Sequence, residues 1–328
     1  MNAMMGMGAG GLALPRFEVR VSAPDLAPWR DGNTGVEGFT TRDSGAAGPH
    51  LVLIALIHGN ELAGAIALER LLAAGLAPLR GRITFAFANL AAFARFDPED
   101  PVASRYIEED MNRVWDPVTL GGTRRSLELD RAREMWPVLQ TADVLFDLHS
   151  MLWPSDPLIL CGAAERGREM ALGIGAPELV IADAGHGNGR RLIDHPIFTD
   201  ADALPVANLV EAGQHWLPET VETTLAAIGG LVRSLGMVAR DEPLLPPARR
   251  ALAPTYAEVT SVVTAKTAGF TFMQPYRGGQ IIRERNTLLA IDGAADIRTP
   301  YDNCLLVMPS LRPSRGHTAV RLARFLRG

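Results

Sequence analysis

The sequence contains little cysteine and almost no lysine. Its 328 residues include two cysteines, Cys161 and Cys304, and a single lysine, Lys266. Two scattered cysteines exclude a disulfide-rich scaffold and a closed structural zinc site, which is usually built from several cysteine thiolates. Because both cysteines lie in short apolar segments, we interpret them as buried free thiols rather than as a disulfide or as metal ligands.

The sequence also lacks a long apolar run and an excess of positive charge. No segment approaches the roughly 20 apolar residues that a membrane-spanning helix needs. The net charge is −5 and the pI about 5.8, which does not indicate a nucleic-acid partner. Residues 1–16 are rich in Gly and Met but lack the basic start of a secretory signal, so we interpret them as a flexible leader. We predict a soluble, cytoplasmic protein, and the sequence does not indicate whether it forms homo-oligomers.

Strand-like and helix-like segments alternate along residues 17–245. Continuous apolar runs such as 50–57 are typical of strands covered on both faces, whereas 62–75 carries apolar residues at helical spacing. Glycines and prolines between Gly32 and Pro49 indicate turns. We therefore predict an α/β domain with strands at 17–23, 50–57, 82–88, 144–150, 158–161, 178–183 and 206–213, and with helices at 62–75 and 220–235.

The last quarter of the chain has a different pattern. Residues 241–254 contain four prolines and indicate a linker. Beyond it, 250–328 contains short strand-like runs and no long helix, which predicts a smaller β domain. The predicted fold class is α/β, with a mixed sheet flanked by helices and a smaller C-terminal β domain.

Three short motifs lie at or directly after the carboxyl ends of predicted buried strands: HGNE at 58–61, DLH at 147–149 and VEAG at 210–213. Functional groups in open α/β sheets collect at the carboxyl ends of the strands, so these segments are expected to converge. His and Glu three residues apart, with a second His, form a three-ligand set that leaves a position for water, as in catalytic zinc sites. On pattern alone, a strand-end histidine fits a buried core residue as well as a metal ligand, and Asp147 either orients His149 or is structural.

Four motifs in a fixed order extend this interpretation. HGNE, RYIEEDMNRVWD (105–116), DLH and EAG together resemble the succinylglutamate desuccinylase/aspartoacylase family of the zinc carboxypeptidase clan. The stretch 278–322 also resembles the β domain of that family. The resemblance implies a zinc-carboxypeptidase-like catalytic domain at 17–245, followed by the β domain at 250–328.

The resemblance also implies a metal site and its chemistry. The zinc ligands of the family correspond to His58, Glu61 and His149, which would hold one Zn²⁺ per chain. The general base of the family corresponds to Glu211. The arginine that polarises the scissile carbonyl corresponds to Arg105, and a cation there would stabilise a developing oxyanion.

The remaining implied contacts concern the two ends of the substrate. Asn112 and Arg113 correspond to the pair that binds the free carboxylate, which suits the bidentate guanidinium of arginine. Family members that act on succinyl or aspartate groups carry a further arginine shortly before the catalytic glutamate. Here the window 197–210 contains no Lys or Arg and only Asp200 and Asp202 as charged residues. We therefore expect a neutral acyl group.

The sequence thus predicts a zinc-dependent hydrolase that cleaves the amide bond of a small N-acyl amino acid or a similar N-acyl amine with a free carboxylate. A metallocarboxypeptidase acting on short peptides and a non-catalytic zinc-dependent binding protein remain alternatives, although a binding protein has no need of Glu211. Ser150 lacks the glycine pattern of a nucleophile elbow, which argues against a serine hydrolase. Substrate contacts are left open for four further residues: Arg190, Arg191, His195 and Tyr301.

Overall fold

The computed structural model describes residues 15–185, 187–200, 202–248 and 254–326. Most of the predicted leader, residues 1–14, and residues 249–253 of the predicted linker lie outside the described residues. Within the described ranges the chain forms an alternation of strands and helices that ends in a run of strands.

The strands are β1 Phe39–Asp43, β2 His50–Ala55, β3 Arg82–Phe87, β4 Val144–Met151, β5 Leu158–Leu160, β6 Leu179–Ala182, β7 Val206–Gln214, β8 Thr255–Thr264, β9 Thr271–Phe272, β10 Ile281–Ile282, β11 Leu288–Asp292, β12 Ala295–Arg298, β13 Cys304–Val307 and β14 Thr318–Phe325. The helices are α1 Leu62–Ala73, α2 Leu90–Phe93, α3 Pro117–Gly121, α4 Leu127–Leu139, α5 Glu165–Ile174, α6 Pro196–Thr199 and α7 Pro218–Ser234.

The centre of the fold is a mixed sheet of eleven strands in the order β1-β3-β2-β4-β7-β5-β6-β8-β14-β13-β10. Strands β3, β2, β4 and β7 run parallel, and β5 pairs antiparallel with β7. A second sheet, β12-β11-β9, is small and antiparallel. The predicted fold class, a mixed sheet flanked by helices with a smaller β part at the C-terminus, is confirmed.

Alternate residues of the central strands enter two separate cores. On β2, Leu51 and Leu53 join the core formed with α1, α5 and α7, while Val52 and Ile54 join the core formed with α4. Such burial on both faces explains why runs such as 51–57 are apolar at every position rather than alternating. By the same alternation, Asp147, His149 and Glu211 lie on the α4 side of the sheet.

Two predictions for the first fifty residues are wrong. Residues 17–23 alternate like a strand but form none; the Arg20 amide instead donates to the carbonyl of Trp216, at 2.9 Å. The turn-rich stretch 32–49 contains strand β1, which pairs antiparallel with β3 at the sheet edge. Only Phe39 of this strand is fully buried, and the sequence FTTRD is mostly polar. A search for apolar runs could therefore not identify it.

The C-terminal strands do not all belong to the small sheet. Strand β8 pairs parallel with β6, and β14, β13 and β10 follow it in the large sheet. The large sheet is therefore continuous past the predicted linker, while the domain division at 245–250 stays a prediction. Across the four described ranges, no helix is both long enough and apolar enough to cross a membrane.

Candidate active site

The motifs singled out in the sequence meet at one edge of the large sheet. Strands β2, β4 and β7 are parallel neighbours, so their carboxyl ends lie side by side. His149 and Glu211 are register partners on β4 and β7. The convergence predicted for HGNE, DLH and VEAG is confirmed.

A tight turn brings the first motif into place. Leu56, directly after β2, has a φ of 61°, an unusual conformation for a bulky residue and one that is often found at functional sites. At Gly59, a Cβ would lie 2.5 Å from backbone atoms of Ala92 and Phe93. The Gly59 amide donates to the carbonyl of Arg105, at 3.0 Å. The close packing at Gly59 therefore connects the HGNE turn to the segment that carries Arg105.

His58, Glu61 and His149 form a compact buried cluster. One ligand atom from each can be chosen so that all three lie within 4.8 Å of one another. The Glu61 carboxylate lies 2.7 Å from His58 Nδ1 through Oε1 and 2.9 Å from His149 Nδ1 through Oε2. Each of the three side chains is at most 4% exposed. Glu61 is the residue directly before α1, as the sequence predicted.

Carboxylates also contact the outer nitrogens of both imidazoles. His58 Nε2 is hydrogen-bonded to Asp110 Oδ1 at 2.9 Å, and His149 Nε2 lies 2.9 Å from Asp147 Oδ2. Burial opposes ionisation of Glu61, but the two imidazoles outweigh it and hold the pKa of this carboxyl well below its usual value. For His149 burial is likewise outweighed, by Asp147 and Glu61, and its pKa is raised well above the usual value.

This donor set fits a zinc ion. Two imidazole nitrogens and a carboxylate are ligands that zinc commonly takes in catalytic sites, and all three face one centre. Carboxylates that contact the outer imidazole nitrogens are the usual partners of metal-binding histidines, because they fix the ring orientation and the tautomer. A metal ligand must be deprotonated, and the lowered pKa of Glu61 keeps this carboxyl ionised at neutral pH.

Glu211 is a buried carboxylate beside this cluster. The pKa of Glu211 is raised to about 8, mainly by burial and also by the negative charge of Glu61, while His149 and Arg105 act in the opposite direction. Within the described residues, its buried Oε2 has no hydrogen-bond partner. A buried polar atom without a partner is costly in a folded protein, so Oε2 is positioned to receive a hydrogen bond from a bound molecule.

Arg105 reaches the cluster from a loop. Its guanidinium contacts Glu61 Oε1 at 3.2 Å and His58 Nε2 at 2.9 Å, and it lies 3.4 Å from Asp110 Oδ2. About a third of its side chain remains exposed. Arg105 therefore lies between the buried histidine-carboxylate cluster and solvent, where a cation can meet a substrate oxygen.

Asn112 and Arg113 lie beside the same cluster. The Oδ1 of Asn112 accepts a hydrogen bond from the Leu192 amide at 2.9 Å, which leaves its Nδ2 directed toward His149 Nε2 at 3.5 Å. The amide of Asn112 therefore offers a donor to the site. Arg113 donates to the carbonyl of Asn112 at 2.7 Å and lies 3.9 Å from Asp110 Oδ2.

Positive charge is concentrated around Arg113. Burial and the neighbouring guanidinium groups of Arg105, Arg191 and Arg321 lower the pKa of Arg113, and Asp110 acts in the opposite direction. An anion placed beside Arg113 would be stabilised by these cations. The surroundings of Arg113 therefore suit a carboxylate group.

The four residues left open by the sequence have other partners. Arg191 is buried and bonded to Asp183 and Asp194, and Arg190 forms an exposed ion pair with Asp116 at 3.1 Å. His195 packs against Trp136, with ring centroids 4.1 Å apart, and its Nδ1 accepts from the Ile197 amide. Tyr301 bonds to Thr260 and lies under Arg324.

Sequence reasoning missed several residues that shape the site. Asp110 lies inside the motif RYIEEDMNR, close to Asn112 and Arg113. That position in the motif is the sequence feature from which its role in the site could have been predicted. Ser150 donates its amide to Glu61 Oε2 at 2.9 Å, and its hydroxyl lies 2.6 Å from His215 Nδ1. His215 is 66 residues from His149 in the sequence and carries no motif, so only the fold reveals its proximity.

Comparison with known proteins gives a consistent result. Residues 47–170 match the family model described as the succinylglutamate desuccinylase/aspartoacylase catalytic domain. The succinylglutamate desuccinylase of Pseudomonas aeruginosa is 33% identical over 130 residues, which cover 37% of this chain and 36% of that protein. The chain thus spans about a third of the length of the curated relatives it matches.

Solved structures share the fold over a larger part of the chain. A succinylglutamate desuccinylase/aspartoacylase from Rhodobacter sphaeroides has a TM-score of 0.63 at 18% identity, over 88% of this chain and 89% of the other. A succinylglutamate desuccinylase from Vibrio cholerae has a TM-score of 0.65 at 16% identity, over 85% and 82%. The ectoine utilization protein EutE from Ruegeria pomeroyi has a TM-score of 0.61 at 16% identity, over 87% and 88%. At these identities the similarity is one of fold.

Proposed function

We propose that the chain is a member of the succinylglutamate desuccinylase/aspartoacylase family and a zinc-dependent hydrolase of N-acyl amino acids, or of similar small N-acyl amines, with a free carboxylate. The match of residues 47–170 to the catalytic-domain model of that family supports the proposal. The observation that carries the proposal is the pairing of the buried cluster of His58, Glu61 and His149 with Glu211 on the neighbouring strand, whose Oε2 has no hydrogen-bond partner in the described part of the chain. A site that only bound a metal would need no proton acceptor beside the ligands.

His58, Glu61 and His149 would hold the zinc ion. Bound there, zinc would supply Lewis-acid activation of a water molecule and of the scissile carbonyl. The contacts of Asp110 with His58 and of Asp147 with His149 support this assignment, because each leaves the Nδ1 atom facing the common centre.

Glu211 is the proposed general acid/base. Its raised pKa, about 8, supports this role, since a group that both accepts and delivers a proton works best with a pKa near the working pH. Glu211 takes the proton of the attacking water on its free Oε2 and then delivers it to the leaving nitrogen. The same carboxylate therefore acts first as a base and then as an acid.

Arg105 is the proposed partner of the carbonyl oxygen. It lies at the exposed side of the cluster and is a permanent cation, so it donates to the oxygen as negative charge develops there. Its contacts with Glu61 and Asp110 hold the guanidinium before substrate binds, which reduces the reorganisation needed during the reaction.

Asn112 and Arg113 are the proposed binding pair for the free carboxylate. The donor face of Asn112 and the positive surroundings of Arg113 support this assignment. Residues 197–210 contain no Lys or Arg that could bind a second carboxylate on the acyl group. We therefore propose a neutral acyl group. The structural relatives include both desuccinylases and an ectoine utilization protein, so this fold alone does not fix the acyl group.

A hydrolysis screen tests the proposal. Zinc-loaded protein would be incubated with N-acetyl, N-succinyl and longer N-acyl amino acids and, in parallel, with short peptides that have free C-termini. We expect release of a free amino acid from one or more N-acyl amino acids. Release from peptides alone would identify a metallocarboxypeptidase instead.

A further inference from the structure

Glu128 is a buried carboxylate that the proposed chemistry does not use. It lies in the first turn of α4 and is 1% exposed. Its oxygens accept hydrogen bonds from three consecutive backbone amides, those of Ile107 at 2.7 Å, Glu108 at 3.1 Å and Glu109 at 3.2 Å. Asn89 Nδ2 is a fourth donor at 3.2 Å. Burial of an ionised carboxylate is strongly unfavourable unless donors surround it, and here four converge on it.

The side chains of this loop, in turn, accept hydrogen bonds from residues at the start of α4. Glu108 Oε2 accepts from the Leu127 amide at 2.6 Å. Glu109 Oε1 accepts hydrogen bonds from Ser126 Oγ and Arg124 Nη1. We refer to the contacts between residues 107–109 and residues 124–128 as the clasp. It joins two segments that are about twenty residues apart in sequence, and carboxylates act as acceptors on both sides.

The clasp lies between two residues that contact the metal-ligand cluster. Arg105 precedes it and reaches Glu61 Oε1 at 3.2 Å. Asp110 follows it directly and accepts from His58 Nε2 at 2.9 Å. A displacement of residues 107–109 would therefore move both groups away from His58 and Glu61.

We propose that Glu128 is a positioning residue for the metal centre. By fixing the backbone at 107–109, its carboxylate holds Asp110 on His58 and Arg105 on Glu61. The inference rests on the proposed function, because it takes His58, Glu61 and His149 to be zinc ligands. It adds a residue that acts on the ligands through a loop, from a different helix.

A double-mutant cycle on zinc affinity tests this role. Zinc affinity would be measured by competition with a chromophoric chelator for the wild-type chain, Glu128→Ala, Asp110→Ala and the double variant. Loss of an outer partner of a metal ligand typically lowers affinity by about 10- to 100-fold. We expect a decrease in this range for Glu128→Ala and for Asp110→Ala, with little further loss in the double variant, because both act through the same contact on His58.

Two further variants control for folding and for charge. Glu128→Gln keeps one acceptor oxygen, so its affinity should fall between wild type and Glu128→Ala. Should Glu128→Ala fail to fold, the cycle is run with Glu128→Gln instead. Glu134→Ala removes an exposed carboxylate from the same helix, where Glu134 pairs with Arg131 at 2.9 Å; it should leave zinc affinity unchanged.

The outcomes separate this inference from the proposed function. Tight zinc binding by the wild type, with unchanged affinity in the Glu128 variants or with fully additive losses in the cycle, would overturn the positioning role and leave a structural one. A wild-type chain that binds no zinc would instead overturn the proposed function, and this inference with it.

Discussion

His149 and Glu211 are register partners on the neighbouring parallel strands β4 and β7, and both lie on the face of the sheet that carries α4. Partners in such a pair are separated by about 4.8 Å, the distance between neighbouring strands. A proposed zinc ligand and a buried carboxylate are therefore held side by side by backbone hydrogen bonds rather than by a mobile loop. This arrangement gives the proposed base a fixed position relative to the cluster of His58, Glu61 and His149.

The role of Glu211 can be tested by Glu211→Gln. The amide keeps the shape of the side chain and removes its ability to accept a proton, so we expect turnover to fall by roughly 10²- to 10⁴-fold. Zinc content, measured by elemental analysis, should stay at the wild-type level because Glu211 is not among the proposed ligands. Near-normal turnover on a good substrate would rule out the proposed base.

Carboxylate recognition can be tested with Arg113→Ala and with amidated substrates. Arg113 lies among other cations, and Asn112 presents a donor beside it. We expect Arg113→Ala to cost about 2–5 kcal/mol of transition-state stabilisation, measured from kcat/KM. The wild-type enzyme should hydrolyse amidated substrates poorly. Equal rates on free and amidated forms would exclude this recognition mode.

The expected acyl preference rests on the charged residues that precede Glu211 in the sequence. Asp200 and Asp202 are exposed, and Arg191 is bonded to Asp183 and Asp194, so it is not free to turn toward an acyl carboxylate. Leaving a desolvated charged group without its partner typically costs several kcal/mol of binding free energy. We expect kcat/KM to be higher for an N-acetyl than for an N-succinyl form of the same amino acid.

Arg190→Ala is the matched control for acyl preference. Arg190 is exposed and pairs with Asp116, so its removal should not change the ratio of the two rates. A succinyl preference that persists in Arg190→Ala would contradict the expected specificity. It would point to the buried guanidinium groups of Arg191 or Arg321 as the source of the second positive charge.

Acid should destabilise the fold through His215. Burial lowers the pKa of His215 from 6.5 to about 4. Between these values the unfolded chain binds a proton that the folded chain does not, so stability falls as the pH decreases from 6.5 to 4. His215 contributes up to about 3 kcal/mol to this loss. Chemical denaturation with a chelator present should give a shallower pH dependence in His215→Gln, and an unchanged slope would exclude His215 as the cause.

The sequence predicted those parts of the fold that depend on burial. Strands β2, β4 and β7 were recognisable because both faces enter a core, so most of their positions are apolar. The same criterion failed for β1, whose polar residues lie at the sheet edge. Residues 17–23 failed in the opposite way, since an alternating pattern indicates a strand only where a neighbouring strand is available to pair with it.

The site likewise contains residues that the sequence predicted and residues that it did not. His58, Glu61 and His149 were predicted from motifs at strand ends together with the family resemblance, and their grouping is confirmed. Glu128 and His215 were not predicted, because each reaches the site region through contacts between segments far apart in sequence. Such contacts depend on loop geometry, for which the sequence carries no repeating signal.

The central claim is zinc-dependent hydrolysis at His58, Glu61 and His149. The most direct measurement is amine release from an N-acyl amino acid, recorded while metal-free protein is titrated with zinc. We predict that activity rises and reaches a plateau at about one zinc per chain, because a single three-ligand site is proposed. His149→Ala should show no such rise. Amine release that is independent of zinc, or equal in His149→Ala, would contradict the account.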